Sequence, residues 1–194
     1  MCSNSTHKTR EYCQLSLWHK LVEGNLVPSN VYGNWVSKGH VFKCIHPNGI
    51  YVVFLVDESG SMGNKSIQPT TDISQNMNNM LGASIEAIIN FCNQRFRINE
   101  KDMGALIGFN TIANLIFENF SLGQINEIKN NCMTKLSPKG GTSFLNAFKE
   151  ASKILNNING NDYQKIIILL SDGFDKNPNE TLDYIKNDVS RKIN

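Results

Sequence analysis

Five side chains with oxygen donors occur at three separate points of the sequence. Asp57, Ser59 and Ser61 follow an apolar run at alternate positions, Thr142 follows two glycines, and Asp172 follows a second apolar run. Two carboxylates and three hydroxyls, without a thiol or an imidazole, form a hard-oxygen donor set that suits Mg²⁺, Mn²⁺ or Ca²⁺ and not Zn²⁺. The residue types therefore predict a site for one divalent cation, with Mg²⁺ as the first choice.

The segments that precede these residues predict how the side chains come together. Residues 51–56 and 166–170 are unbroken apolar runs rich in β-branched residues, typical of strands buried on both faces of a parallel sheet. In open α/β sheets, ligands bind beyond the carboxyl ends of the strands, where neighbouring connections diverge to opposite faces. If the two strands are neighbours, Asp57 and Asp172 meet at such a crevice, with Glu58 pointing to solvent at its rim.

The rest of the pattern predicts alternating helices and strands. Apolar residues spaced three and four apart predict helices over 72–96, 124–133, 143–155 and 180–190. Asp72 and Thr142 can each cap the helix that follows. The short runs 103–109 and 112–117, separated by two polar residues, predict an antiparallel hairpin. The fold class is therefore α/β, with a doubly wound, mostly parallel sheet that contains one antiparallel hairpin strand.

Composition and charge argue against several classes of protein. The chain has 194 residues, 40% of them hydrophobic, which is enough for one folded domain with some additional sequence. A formal net charge of +2 gives no strong attraction to nucleic acid or anionic membranes, and no apolar run approaches the roughly 18 residues of a membrane span. The five cysteines form no disulfide-rich spacing, and the first residues do not form the continuous apolar segment typical of a secretory signal. We therefore expect reduced thiols and a cytoplasmic location.

Residues 1–49 differ from the rest and predict an irregular leader ahead of a domain at 50–194. The leader contains all four histidines and three of the five cysteines, without a sustained apolar period. The alternative is a zinc module, whose candidate ligands are Cys13, His19, His40, Cys44 and His46. Their spacing matches no common zinc signature, so we prefer the interpretation that residues 1–49 are an irregular leader.

Three motifs together resemble a known family. Asp-x-Ser-x-Ser after a buried strand, Gly-Gly-Thr before a helix and Ser-Asp-Gly after a later strand are similar to the metal-ion-dependent adhesion site of the von Willebrand factor type A family, over about residues 50–190. The resemblance implies a sheet in the order 3-2-1-4-5-6 whose second and third strands form a hairpin. It also implies that Ser59, Ser61 and Thr142 contact the metal directly, and that Asp57 and Asp172 act largely through water. An Asp or Glu of a partner protein would complete the metal shell.

Two features depart from the family pattern. The family continues with two more strands and their helices, whereas this sequence ends at Asn194. One edge of the last strand would then be uncovered, so we expect a fragment, a truncated product or a domain completed by another chain or segment. The loop at residues 62–71 is longer than usual beside the metal, and we expect it to influence the choice of partner.

The runner-up function is Mg²⁺-dependent hydrolysis at the same strand ends. A P-loop needs a contiguous Gly-Lys-[Ser/Thr], but here Asn64 separates Gly63 from Lys65. An aspartyl phosphatase would use Asp57 as its nucleophile, but it usually needs a second aspartate where this chain has Ser59. A serine hydrolase lacks a histidine base in the domain. We therefore predict a non-enzymatic, metal-dependent protein-binding domain, with a purely structural domain as the remaining alternative.

Overall fold

The computed structural model describes residues 34–37, 40–43, 49–158, 163–173 and 175–190. The chain divides into two units, Met1–Pro47 and Asn48–Asn194. In the first unit, the strands β1 (Asn34–Ser37) and β2 (His40–Lys43) pair in an antiparallel manner. The candidate zinc ligands of the leader lie outside the described residues, apart from the backbone of His40. The division into a leader and a domain stays a prediction.

The second unit alternates strands and helices in the predicted order. Its strands are β3 (Gly49–Asp57), β4 (Met103–Phe109), β5 (Ala113–Ser121) and β6 (Tyr163–Leu170). Its helices are α1 (Met80–Ile98), α2 (Ile125–Lys135), α3 (Phe144–Asn157) and α4 (Pro178–Tyr184), the last followed by a π-helical turn at Ile185–Val189. None of the helices in the described part of the chain has the length and hydrophobicity needed to cross a membrane.

The four strands form one mixed sheet in the order β5-β4-β3-β6. Strand β3 is parallel to both β4 and β6, and β4 pairs with β5 in an antiparallel manner. The two apolar runs are therefore neighbours, with Val53 opposite Ile167 on one side and Ala105 on the other. These observations confirm the predicted α/β class. Within the described residues β6 forms one edge of this sheet, and the segment or chain expected to cover it stays a prediction.

Both faces of the sheet are covered, which explains the unbroken apolar sequence of β3. Alternate residues of β3, such as Val52 and Phe54, pack in a cluster with α1 and α2. The residues between them, such as Val53 and Leu55, pack in a second cluster with α3. All four side chains are at most 1% exposed, and each buried aliphatic or aromatic side chain stabilises the fold by about 1.5–3 kcal/mol. This rigid central strand fixes the position of Asp57 at its end.

The start of α1 differs from the prediction. A separate 3-10 turn occupies Asp72–Gln75, and α1 begins at Met80 with the Asn79 side chain accepting a hydrogen bond from Gly82 N. The Asp72 carboxylate instead forms an ion pair with Lys129, 2.7 Å apart. Ile73 of this turn is buried, and its position in the sequence fits the apolar spacing of the helix although it lies outside the helix. The helix therefore begins where the Asn79 side chain caps it, and not where the spacing of apolar residues first fits a helix.

Candidate metal centre

Asp57 is the last residue of β3, and its carboxylate is buried at the carboxyl end of this strand. The side chain is 0% exposed. One oxygen accepts a hydrogen bond from Ser59 N at 2.7 Å, and the other accepts from Ser171 Oγ at 2.6 Å. Both donors are neutral, and no ion pair of Asp57 occurs among the described residues. A buried carboxylate without a cationic partner is costly, so this position favours a bound cation.

The loop after β3 places two hydroxyls side by side. Ser59 Oγ and Ser61 Oγ are 3.0 Å apart, and the loop continues into a 3-10 turn at Gly60–Gly63. The bond from the Asp57 carboxylate to Ser59 N holds the start of the loop. Ser59 is 3% exposed, whereas Ser61 is exposed to solvent. The alternating sequence therefore brings two hydroxyl oxygens to the same side of the loop.

Glu58 is buried, and the prediction that it points to solvent is wrong. Only 3% of the residue is exposed, and Glu58 Oε1 accepts a hydrogen bond from Ser137 N at 2.9 Å. Burial raises the pKa of this carboxyl, while the Ser137 N–H and the charge of Lys139 act in the opposite direction. The backbone is held as well, because Glu58 N donates to Phe109 O and Glu58 O accepts from Lys139 N. Glu58 thus links the Asp57 loop to the loop that carries Thr142.

Thr142 lies between that linked loop and helix α3. Thr142 is 7% exposed, and its hydroxyl makes no hydrogen bond with any described residue. The cap of α3 is Ser143, whose side chain accepts from Asn146 N at 3.4 Å, so Thr142 is not the helix cap. Gly140, with a φ of 77°, turns the chain here, and its carbonyl accepts from Gly60 N at 3.0 Å. The Thr142 hydroxyl is therefore free to face a ligand.

The loop after β6 contributes one carboxylate and one positioning hydroxyl. Ser171 donates to Asp57 across the two strands, and its oxygen accepts from Gly173 N at 3.1 Å. Asp172, between these two residues, is exposed and pairs with no described residue. The pairing of β3 with β6 brings both loops to the same edge of the sheet. A carboxylate from each strand end thus reaches the same region, as the strand order requires.

These loops surround an open cleft with a volume of about 400 Å³. Ser59, Ser61, Thr142 and Asp172 all line it, whereas Asp57 lies behind the serines and is absent from the lining. The remaining lining residues are Gly60, Gly140, Gly141 and Lys176. The structure thus gathers four of the five predicted residues at one cleft and joins the fifth to it by hydrogen bonds.

The donor set fits a hard divalent cation held largely by hydroxyls. Within the part of the chain that the structure describes, no three histidine, cysteine, aspartate or glutamate side chains cluster as a metal group. The predicted set does not need such a cluster, since it has only two carboxylates. Oxygen ligands of this kind suit Mg²⁺, which retains several waters in protein sites. The chemistry of the set and the uncompensated charge of Asp57 both agree with a bound cation.

Three residues beside the site were not assigned these roles from the sequence. Ser171 holds Asp57, Glu58 joins two loops, and Lys176 lines the cleft. A signal for Glu58 exists in Gly108, a glycine near the end of the apolar strand β4. A Cβ at Gly108 would lie within van der Waals overlap of the Glu58 carboxylate. No comparable signal marks Ser171 or Lys176.

Comparison with known proteins agrees with this fold. The family model of the von Willebrand factor type A domain matches residues 52–174, which is more than half of the chain. The chain belongs to the von Willebrand factor type A domain family. The matched range contains all five predicted metal residues. No curated protein sequence matches the chain.

Two solved structures share the fold at low sequence identity. The PilB minor pilin from Streptococcus sanguinis is 24% identical with a TM-score of 0.53, and the match covers 70% of this chain and 34% of the pilin. The vWF domain of the type V pili tip protein Mfa5 from Porphyromonas gingivalis is 22% identical with a TM-score of 0.51, covering 66% of this chain and 38% of that one. The chain thus spans little more than a third of the length of either structure.

Proposed function

We propose that this chain is a metal-dependent protein-interaction domain. One divalent cation, Mg²⁺ before Mn²⁺ or Ca²⁺, is held by Asp57, Ser59, Ser61, Thr142 and Asp172. When bound, the cation supplies positive charge that attracts a carboxylate from an Asp or Glu of a partner protein. As in the adhesion site that the motifs resemble, the three hydroxyls would contact the metal directly and the two carboxylates largely through water. The cytoplasmic location remains part of this proposal.

The observation that carries the proposal is the environment of Asp57. Its carboxylate is fully buried and bonded to neutral donors at 2.6 and 2.7 Å. Glu58, the next residue in the chain, is also buried. Two acidic groups in one buried turn lower the electrostatic potential at the cleft, so a cation beside the serine hydroxyls is favoured. Membership of the family, which includes the vWF domain of the pili tip protein Mfa5, adds support for a binding role.

The loop geometry gives no support to a phosphate-binding hydrolase. In a P-loop, the glycine-rich segment runs directly into a helix whose N-terminal N–H groups bind phosphate. Here the segment forms a 3-10 turn at Gly60–Gly63, and α1 begins only at Met80. Lys65, the residue that would bind the terminal phosphates, is exposed in the loop between them. We therefore propose a non-enzymatic role.

The proposal is tested by thermal unfolding of the full chain in EDTA and in Mg²⁺, Mn²⁺ or Ca²⁺. A ligand that binds only the folded state stabilises it by about 2.7 kcal/mol at a hundred times its dissociation constant. We expect a metal-dependent rise in melting temperature that Asp57→Ala and Asp172→Ala both remove. Asp172 is exposed, so its variant remains informative if Asp57→Ala folds poorly.

The matched control is Asp183→Ala, which removes an exposed carboxylate from α4, outside the cleft. This variant should keep the full metal-dependent rise. Cooperative unfolding of the wild-type chain with no response to any of the three metals would reject the metal site. It would leave a purely structural domain as the better description.

A further inference from the structure

Among the described residues that line the cleft, Lys176 is the one basic side chain. It is exposed, and it forms no ion pair or hydrogen bond with any described residue. Its ammonium end extends over the glycine loop, because Lys176 Nζ lies 3.2 Å from the point that a Cβ on Gly141 would occupy. The absence of a side chain at Gly141 therefore leaves the space in which this ammonium group lies.

None of the described residues therefore neutralises this ammonium group. Asp172 is the only acidic residue in the lining, and Lys176 makes no salt bridge with it in the described structure. In the proposed function, Asp172 faces the bound metal, so the ammonium group stays available to a ligand. A lysine acts as a mobile point charge on a flexible stem and can reach a second anionic group beside the metal.

We propose that Lys176 is a second anchoring point for the partner and selects ligands with two carboxylates. One carboxylate reaches the metal, and the other pairs with Lys176. The partner surface would therefore present two acidic side chains close together. A cleft of about 400 Å³ lies at the small end of ligand sites and suits side chains rather than a folded element. This inference rests on the proposed function, because the first carboxylate needs the metal.

The test uses the full chain with Mn²⁺ and two simple probes, acetate and glutarate. Paramagnetic broadening of the probe's proton resonances by bound Mn²⁺ reports entry of a carboxylate into the site. We expect the wild-type chain to prefer glutarate by about threefold to fivefold, beyond the statistical factor for two carboxylates, as for one exposed ion pair. Lys176→Ala should remove that preference, Lys176→Arg should keep it, and Lys176→Glu should reverse it.

Lys65→Ala is the matched control, since Lys65 is an exposed lysine on a neighbouring loop that does not line the cleft. It should behave as the wild type. Binding of Mn²⁺ itself is followed in each variant by the electron paramagnetic resonance signal of free Mn²⁺. If Mn²⁺ binds but Lys176→Ala weakens acetate and glutarate equally or leaves the preference intact, the second anchor is wrong. If the wild-type chain does not bind Mn²⁺ and also shows no thermal response to Mg²⁺ or Ca²⁺, the proposed function fails and this inference fails with it.

Discussion

Replacement of Asp57 by asparagine separates a metal-binding role from a structural role. The Asp57→Asn side chain has nearly the same shape and keeps one oxygen to accept from Ser59 N. Its amide nitrogen would replace the oxygen bonded to Ser171 Oγ, and the hydroxyl can rotate to accept instead. The change therefore removes a buried negative charge while both hydrogen bonds keep a partner.

The expected change in the free energy of unfolding is the difference between two opposing effects. Two charge-assisted hydrogen bonds become neutral ones, which costs about 2 kcal/mol in total. Relief of an uncompensated buried charge returns several kcal/mol, and Asp57 is 0% exposed. We expect the free energy of unfolding of Asp57→Asn to be about 1 kcal/mol above that of the wild type in EDTA. In Mg²⁺ at a hundred times the dissociation constant, the wild type gains about 2.7 kcal/mol and becomes the more stable protein.

The assay is thermal unfolding followed by circular dichroism, at constant ionic strength, with EDTA or Mg²⁺. For a chain of this size, 1 kcal/mol corresponds to about 2–4 °C, so the order of the two melting temperatures should reverse between the buffers. Asp183→Asn, the same change at an exposed position, should show no reversal. If Asp57→Asn is less stable than the wild type by an equal margin in both buffers, the carboxylate is structural and the reasoning about its charge is wrong.

Three further predictions concern groups other than the five proposed metal ligands. Asp102, which is 0% exposed and forms an ion pair with Arg95 at 2.8 Å, lies at the other end of the strands. Its replacement by alanine should lower the free energy of unfolding by about 3 kcal/mol, as measured by urea denaturation, without changing metal affinity at temperatures where the variant is folded. Glu58→Ala should cost about 2 kcal/mol by the same measurement, and Glu58→Gln, which keeps an acceptor, less than half as much; equal losses would contradict the proposed loop link. Burial raises the pKa of the Cys92 and Cys132 thiols to about 12, so their thiolate fraction at pH 8 falls about a thousandfold relative to an exposed thiol. Iodoacetamide labelling read by mass spectrometry should find both unmodified until denaturant is added.

The parts of the fold that could be predicted are those where burial dictates the sequence. Strand β3 is buried on both faces and must therefore be apolar throughout, so residues 51–56 were recognisable as a strand. The apolar run 166–170 was recognised in the same way and pairs with β3 as a neighbour. Its side chains are only half-buried, so the prediction that this second strand is buried on both faces is wrong. The predicted end of helix α3 lies within two residues of the observed end, because the buried apolar residues occupy one face of the helix and polar residues occupy the other. Strand β5 extends further than predicted because Glu118 and Asn119 interrupt its apolar pattern. Asn119 has a φ of 54° in this irregular part of the ladder, which a polar asparagine tolerates.

The candidate site could be predicted for its donors but not for the groups that hold them. Donor residues follow strand ends, and a parallel sheet brings strand ends to one edge regardless of the details of each loop. The orientation of Glu58 depends instead on a tight turn and on contacts with a loop far along the chain. Such contacts between distant loops leave no periodic signal. Only the glycine at position 108, where a Cβ would overlap the Glu58 carboxylate, reflects the contact in the sequence.

The acidic residues at this end of the sheet are divided between the protein interior and the cleft lining. Asp57 and Glu58 lie inside the turn, so their negative charge acts on the cleft without being exposed to a partner. The described residues that line the cleft contribute three hydroxyls, three glycines, one aspartate and one lysine. A cation drawn to the buried charges would therefore face outward with few competing carboxylates around it. Under the proposed function, the protein leaves room at the cation for an acidic group of another molecule, and Lys176 adds attraction for the same kind of group.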